Sequence, residues 1–181
     1  METFRKQNLN FLEILFTDYC IVNPLYKAQW SRLVEAREQI ARMNEWRAVK
    51  SMKGVAMEKY HAMEHEYPSK VEVLAKFGYD PKQLHHLLRV EEYLERYING
   101  EPYKDCLKPR DPGYLLDIKI GVMGLEEARR VADASMEHVI KLADDFCAIR
   151  TDDENMEGRA LLESVQYEIM KIAVKMELNN D

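Results

Sequence analysis

The sequence predicts an all-α protein, an irregular bundle of about six or seven helices, and three observations carry that prediction. Glu, Lys, Leu, Met and Ala dominate, while strand formers are not gathered into alternating runs. Apolar residues recur at spacings of three and four over long stretches. Asn, Asp, Pro and Gly stand where helices start and stop. At 181 residues, 46% apolar and 32% charged, the chain can hold one ordinary domain with a real core, or a domain plus an appended helix.

The elements follow in order. Residues 4–17 read as an apolar helix or a partly buried segment. Asn23-Pro24 marks a turn, and a helix follows over 26–43. Asn44 caps the next, whose stripe Trp46, Val49, Met52, Ala56, Tyr60 and Met63 has helical spacing up to the stop at Tyr67-Pro68-Ser69. A short helix over 70–76 leads to Gly78, Asp80 and Pro81, which are a stop, a cap and a first-turn proline for a helix running to Ile98. Residues 101–113 hold Pro102, Pro109, Pro112 and Gly113 and read as a loop. A helical stretch over 114–120 is separated by Gly121 and Gly124 from a long helix over 125–148, with Leu125, Ala128, Ala132, Met136, Val139, Ala143 and Phe146 on one face. A polar linker over 151–155 precedes a last helix over 156–178, with the stripe Leu162, Val165, Ile169, Ile172 and Met176. The predicted division is a helical domain over 1–150, and a linker with an appended helix over 151–181.

Composition excludes several classes of function. No apolar run is long enough to span a membrane, and the first residues open no secretory signal, so the expected location is cytoplasmic. Cys20, Cys106 and Cys147 lie far apart and read as reduced thiols. The net charge of −6 is graded: residues 1–60 hold ten Lys/Arg against seven Asp/Glu, whereas residues 125–181 hold seven against fourteen. That balance argues against general nucleic-acid binding by the isolated chain and leaves room for a local basic site in its first half.

Such a site is read on the helix over 81–98. Lys82, His86, Arg89 and Tyr93 recur at spacings of four, three and four, opposite Leu84, Leu87, Leu88, Leu94 and Ile98. Two permanent cations, an imidazole and a phenol on one face suit a phosphate or a carboxylate, although a wet helix face carrying Lys and Arg also serves plain solvation. On the helix over 44–65, Arg47, Lys50 and Gly54 lie opposite the Trp46 stripe, with Lys53 close by. A glycine there costs about 1 kcal/mol relative to alanine, so a close approach by a backbone or a ligand is expected. His61-Ala62-Met63-Glu64-His65 matches a zinc-peptidase spacing, but Tyr67-Pro68 ends the helix at once and surface histidines are the better reading.

The wording Gly78-Tyr79-Asp80, Lys82, His86, Arg89 resembles a segment in the C-terminal helical half of predicted nucleotidyltransferases of the DNA polymerase beta superfamily, a group common in bacteria and phages. Asn8, Asn10, Glu13 and Leu15 are similar to that family's Asn-x-Asn-x-x-Glu-x-Leu helix. Leu115-Leu116-Asp117-Ile118-Lys119-Ile120-Gly121 is similar to its Leu-x-x-Ile-Lys/Arg-x-Gly turn. The resemblance covers roughly residues 4 to 147. It implies that Lys82, His86, Arg89 and Tyr93, with Lys50 and Arg47, flank a nucleotide cleft, and that Glu13 orients substrate or pairs with a cation. For the complete family member it also implies Mg²⁺ and a nucleoside triphosphate.

The family's catalytic signature, a Gly-Ser turn followed by Asp-x-Asp, holds phosphates and two metal ions. Here none of the seven glycines precedes a serine, and no Asp-x-Asp occurs. The expectation is therefore a chain with no catalytic residues or metal ligands of its own, beginning just after the catalytic sheet would have ended. It would serve as a helical substrate-binding region, with a catalytic nucleotidyltransferase domain as its partner. The alternative is a stand-alone helical interaction or regulatory protein, including a homo-oligomer. Phe11, Leu12, Leu15 and Phe16 would separate the two: a catalytic sheet covers them in the first case, self-association or another partner in the second.

Overall fold

The computed structural model of the chain describes residues 1–179. Among these residues there is no strand, and eleven α-helices form. They are α1 (Glu2–Arg5), α2 (Leu9–Leu12), α3 (Lys27–Glu35), α4 (Arg37–Ala41), α5 (Glu45–Ala62), α6 (Val71–Phe77), α7 (Pro81–Ile98), α8 (Tyr103–Cys106), α9 (Pro112–Lys119), α10 (Leu125–Ala148) and α11 (Met156–Leu178). The chain divides into two compact units, one of residues 1–48 with the segment from Thr151 onward, the other of Val49–Arg150.

The all-α class is as expected, and the helix count is higher than six or seven because two predicted helices are broken and a predicted loop holds a further short helix. Residues 4–17 split into α1, α2 and a 3-10 turn at Glu13–Phe16. The break is Gln7, which has φ +52°, a left-handed conformation that few non-glycine residues adopt. Its buried amide offsets that cost by donating to the carbonyls of Phe4 (2.8 Å) and Ile40 (2.9 Å). Residues 26–43 are interrupted at Ala36, whose ψ of 13° ends α3 before α4 begins. The proline-bearing loop over 101–113 contains α8, because Tyr103 and Cys106 are buried there and the turn follows them inward.

In the first unit α11 runs antiparallel to α3 and α4. Glu168 accepts from Arg32 (2.6 Å) and Gln29 (3.2 Å), while Glu157, further back along α11, accepts from Gln39 (3.2 Å), further on along the chain. The backbone N–H of Asn155 donates to the Met43 carbonyl (2.8 Å), and its side chain caps α11 by accepting from the N–H groups of Glu157 and Gly158. Gly158 sits against Met43: a Cβ would meet the Met43 side chain at 3.1 Å. Leu12, Leu15 and Phe16 are buried in this unit, and Phe11 is exposed. Three of the four residues expected to need an outside cover are thus covered by the chain itself.

In the second unit α7 packs against α10, α9 and α8. Leu84, Leu87 and Leu94 are fully buried, at about 1.5–3 kcal/mol each. The buried arc is wider than the predicted stripe and takes in Val90, Tyr93 and Tyr97, so Tyr93 does not lie on the wet face. Its ring is stacked with Tyr97 (6.2 Å between centroids) and edge-on to Tyr103 of α8 (5.4 Å). Along α5 and α10, Lys53 pairs with Asp144 (2.6 Å), the Tyr60 hydroxyl donates to Asp133 (2.6 Å), and Glu64, just past α5, pairs with Arg129 (2.7 Å). Numbers rising on one side and falling on the other mark an antiparallel pair.

Candidate functional site

The start of α7 is held by contacts from several segments of the second unit. Gly78, with φ +77°, closes α6 by donating its N–H to the Leu74 carbonyl (2.8 Å). Tyr79 is fully buried, and its hydroxyl donates to the Met123 carbonyl (2.8 Å). The Asp80 N–H donates to the Met63 carbonyl (2.7 Å), and its carboxylate accepts from the Lys82 N–H (3.0 Å) and pairs with Lys70 (2.6 Å). Pro81 supplies the first turn.

From that anchored start, α7 presents Lys82, His85, His86 and Arg89. Burial pulls the His86 imidazole down to about 4, and the neighbouring His85, Lys59, Lys82 and Arg89 add to the shift. His85 is also lowered, first by burial and then by Lys119 and Arg89. Its Nδ1 is buried without a hydrogen-bond partner. The rings meet edge to face. Lys59 from α5 and Lys119 from α9 thus join the cations of α7, two residues that periodicity along α7 alone could not supply. Lys82 and Lys119 are exposed and make no ion pair among the described residues. Two imidazoles that burial and neighbouring ammonium and guanidinium groups keep uncharged can donate hydrogen bonds to an anion without taking up a proton.

The remaining predicted residues go elsewhere. Tyr93 is buried in its aromatic cluster, where burial pushes the phenol far above its ordinary value. Lys50 is exposed and acts, with Lys53 and Arg150, on the Cys147 thiol, which burial nonetheless raises. Gly54 is met by nothing within 4 Å, so the expected close approach is not made by this chain. His61 and His65 are both exposed, and His65 falls past the end of α5.

Arg47 belongs to the first unit, in a polar network. Its guanidinium reaches Asp152 (2.6 Å) and Glu154 (2.5 Å), Arg5 reaches Glu154 (3.1 Å), and Asn44 donates to Asp152 (2.7 Å). Burial works to raise the Glu154 carboxyl, but hydrogen bonds from Arg5 and Arg47 outweigh it and hold the group below its usual range. Burial likewise works to lower Arg47, and its bonds to Asp152 and Glu154 leave it raised. Glu13 opens the 3-10 turn Glu13–Phe16 of the same unit and is half-buried.

Fold and site together define an all-helical protein with a cationic, histidine-bearing helix face. Comparison with protein-family models, curated proteins and solved structures finds no match to this chain.

Proposed function

We propose that the chain is a helical substrate-binding region of a nucleotidyltransferase-like protein, which holds the phosphate of a nucleotide or acceptor when combined with a catalytic domain and is not catalytic alone. The observation that supports this most is the grouping of Lys59, Lys82, Arg89 and Lys119 about His85 and His86. The resemblance of Lys82, His86 and Arg89 to the nucleotidyltransferase motif names the ligand class. On this reading any Mg²⁺ would arrive with the nucleotide or with the catalytic partner. Lys82 and Arg89 would grip phosphate oxygens, and a neutral His86 would donate an N–H without a proton being taken up.

Calorimetry with Mg²⁺-ATP on the chain and on a Lys82→Ala/Arg89→Ala variant tests the reading, with Lys141→Ala on α10 as control. The expected result is binding that weakens at least tenfold in the double variant and is unchanged in the control. Equal affinities, or no heat from either protein, would refute it.

The second reading is a stand-alone helical interaction or regulatory protein; the burial of Leu12, Leu15 and Phe16 means that neither a catalytic sheet nor a partner is needed to cover them. That reading expects no nucleotide binding.

A further inference from the structure

α11 has two apolar faces. Leu162 and Val165 face inward and are buried. On the opposite side, Met156, Ala160, Tyr167, Met170, Val174 and Leu178 follow one another at spacings of three, four or seven residues and form a continuous stripe along a helix about 34 Å long. The five large side chains of that stripe are between 52% and 71% exposed. Scattered exposed apolar residues need no explanation, but a full-length stripe does. Of the charged residues on or beside it, Glu163 and Lys171 lie nearest its centre, and both are exposed.

We propose that a second copy of this chain covers the stripe, the two α11 helices packing antiparallel about a two-fold axis at Tyr167. The charges choose both direction and register. A parallel, in-register pair would stack Glu163 on its own copy at the seam and Lys171 on its own copy, two repulsive contacts. An antiparallel pair centred near Met170 would set Glu163 against Glu177 of the other copy. Centring at Tyr167 sets Glu163 against Lys171 twice over, Met156 against Leu178, and the small Ala160 against Val174. Glu163 now pairs with Arg159 one turn away (2.8 Å), an exposed contact that costs little to share. Tyr167 meets itself across the axis with Lys171 already over its ring (4.9 Å). This inference does not depend on the ligand reading.

Sedimentation equilibrium of the full chain over about 1–100 μM tests it. The expected species is a dimer of the 21.3 kDa chain. Glu163→Lys alone and Lys171→Glu alone each turn two attractions into two repulsions and weaken the dimer about tenfold, whereas the double exchange restores it. Tyr167→Glu abolishes it. All three positions are exposed, so circular dichroism should be unchanged in each variant. A monomer at every concentration overturns the proposal. A dimer indifferent to the single reversals overturns it equally, because the register would then be wrong.

Discussion

The imidazoles of His85 and His86 lie edge to face, 5.1 Å between centroids, and the charged side chains that act on them, Lys59, Lys82, Arg89 and Lys119, are cations. His86 is pulled from 6.5 to about 4, first by burial. Its folded value lies below its unfolded one, so between pH 6.5 and about 4 the unfolded chain binds more protons. The contribution is fully present above pH 6.5 and is lost as pH falls toward 4. His86→Gln should flatten the fall in stability across that window relative to the natural chain, as measured by urea unfolding at several pH values. In the natural chain, proton NMR should find the His86 ring still neutral at pH 6. A ring that titrates near 6.5 would remove the basis for a neutral donor at this site.

Glu154 ties the α11 approach to Arg5 and Arg47. Glu154→Ala would leave two guanidiniums without their shared acceptor, at a cost of about 1.5–3 kcal/mol. Glu154→Gln should cost less, because the amide oxygen still accepts. The natural carboxyl is held low, so this stability is present above pH 4.5 and declines as pH falls through the folded value. Denaturant midpoints for both variants at neutral and acid pH check the order and the sign.

Two glycines make opposite predictions. Gly54 stands in the middle of α5, and a Cβ there meets nothing within 4 Å. Gly54→Ala should therefore stabilise by about 0.5–1 kcal/mol. Gly121 has φ +81°, and a Cβ would fall 2.3 Å from the Phe77 ring. Gly121→Ala should destabilise by about 2 kcal/mol or more, through backbone strain and displacement of a packed ring. Thermal unfolding separates the two by sign alone. A destabilised Gly54→Ala chain would mean that the helix is approached by something other than its own chain.

α7, α10 and α11 were legible because each carries its own boundary chemistry: Asp80 with Pro81, Gly124, and Asn155, each followed by a regular stripe. Gln7 was not legible, since its left-handed backbone depends on the Ile40 carbonyl, 33 positions away. Tyr93 was misplaced for a related reason. The period along α7 gives its faces, and only the arrival of α8 decides that a second face is buried. The cationic site was half legible: Lys82, His86 and Arg89 share a face by spacing, but Lys59 and Lys119 come from helices whose neighbours no local pattern specifies. The ion pairs of Arg47 are not legible locally, because its acids, Asp152 and Glu154, are distant in sequence.

Asp80 combines three roles that substitution can separate. Its carboxylate caps α7 through the Lys82 N–H (3.0 Å), pairs with Lys70 (2.6 Å), and is itself buried, while its backbone N–H is held by Met63 (2.7 Å). Asp80→Asn keeps a cap oxygen and loses the ion pair, leaving Lys70, whose side chain is partly exposed, free to turn to water; the cost should be about 1 kcal/mol. Asp80→Ala loses both and leaves the first-turn N–H groups without an acceptor, for about 2–3 kcal/mol. Lys70→Met, compared in the natural chain and in Asp80→Asn, should be nearly silent in the second, because the pair is already gone. The same series bears on binding. If the cationic face takes a phosphate, fraying of the first turn of α7 moves Lys82 before it moves Arg89, so Asp80→Ala should weaken Mg²⁺-ATP binding more than its loss of global stability explains. Hydrogen exchange at the amides of residues 82–85 would report the fraying directly. Protection unchanged in Asp80→Ala would mean that Tyr79 and Pro81 hold the helix start without the cap.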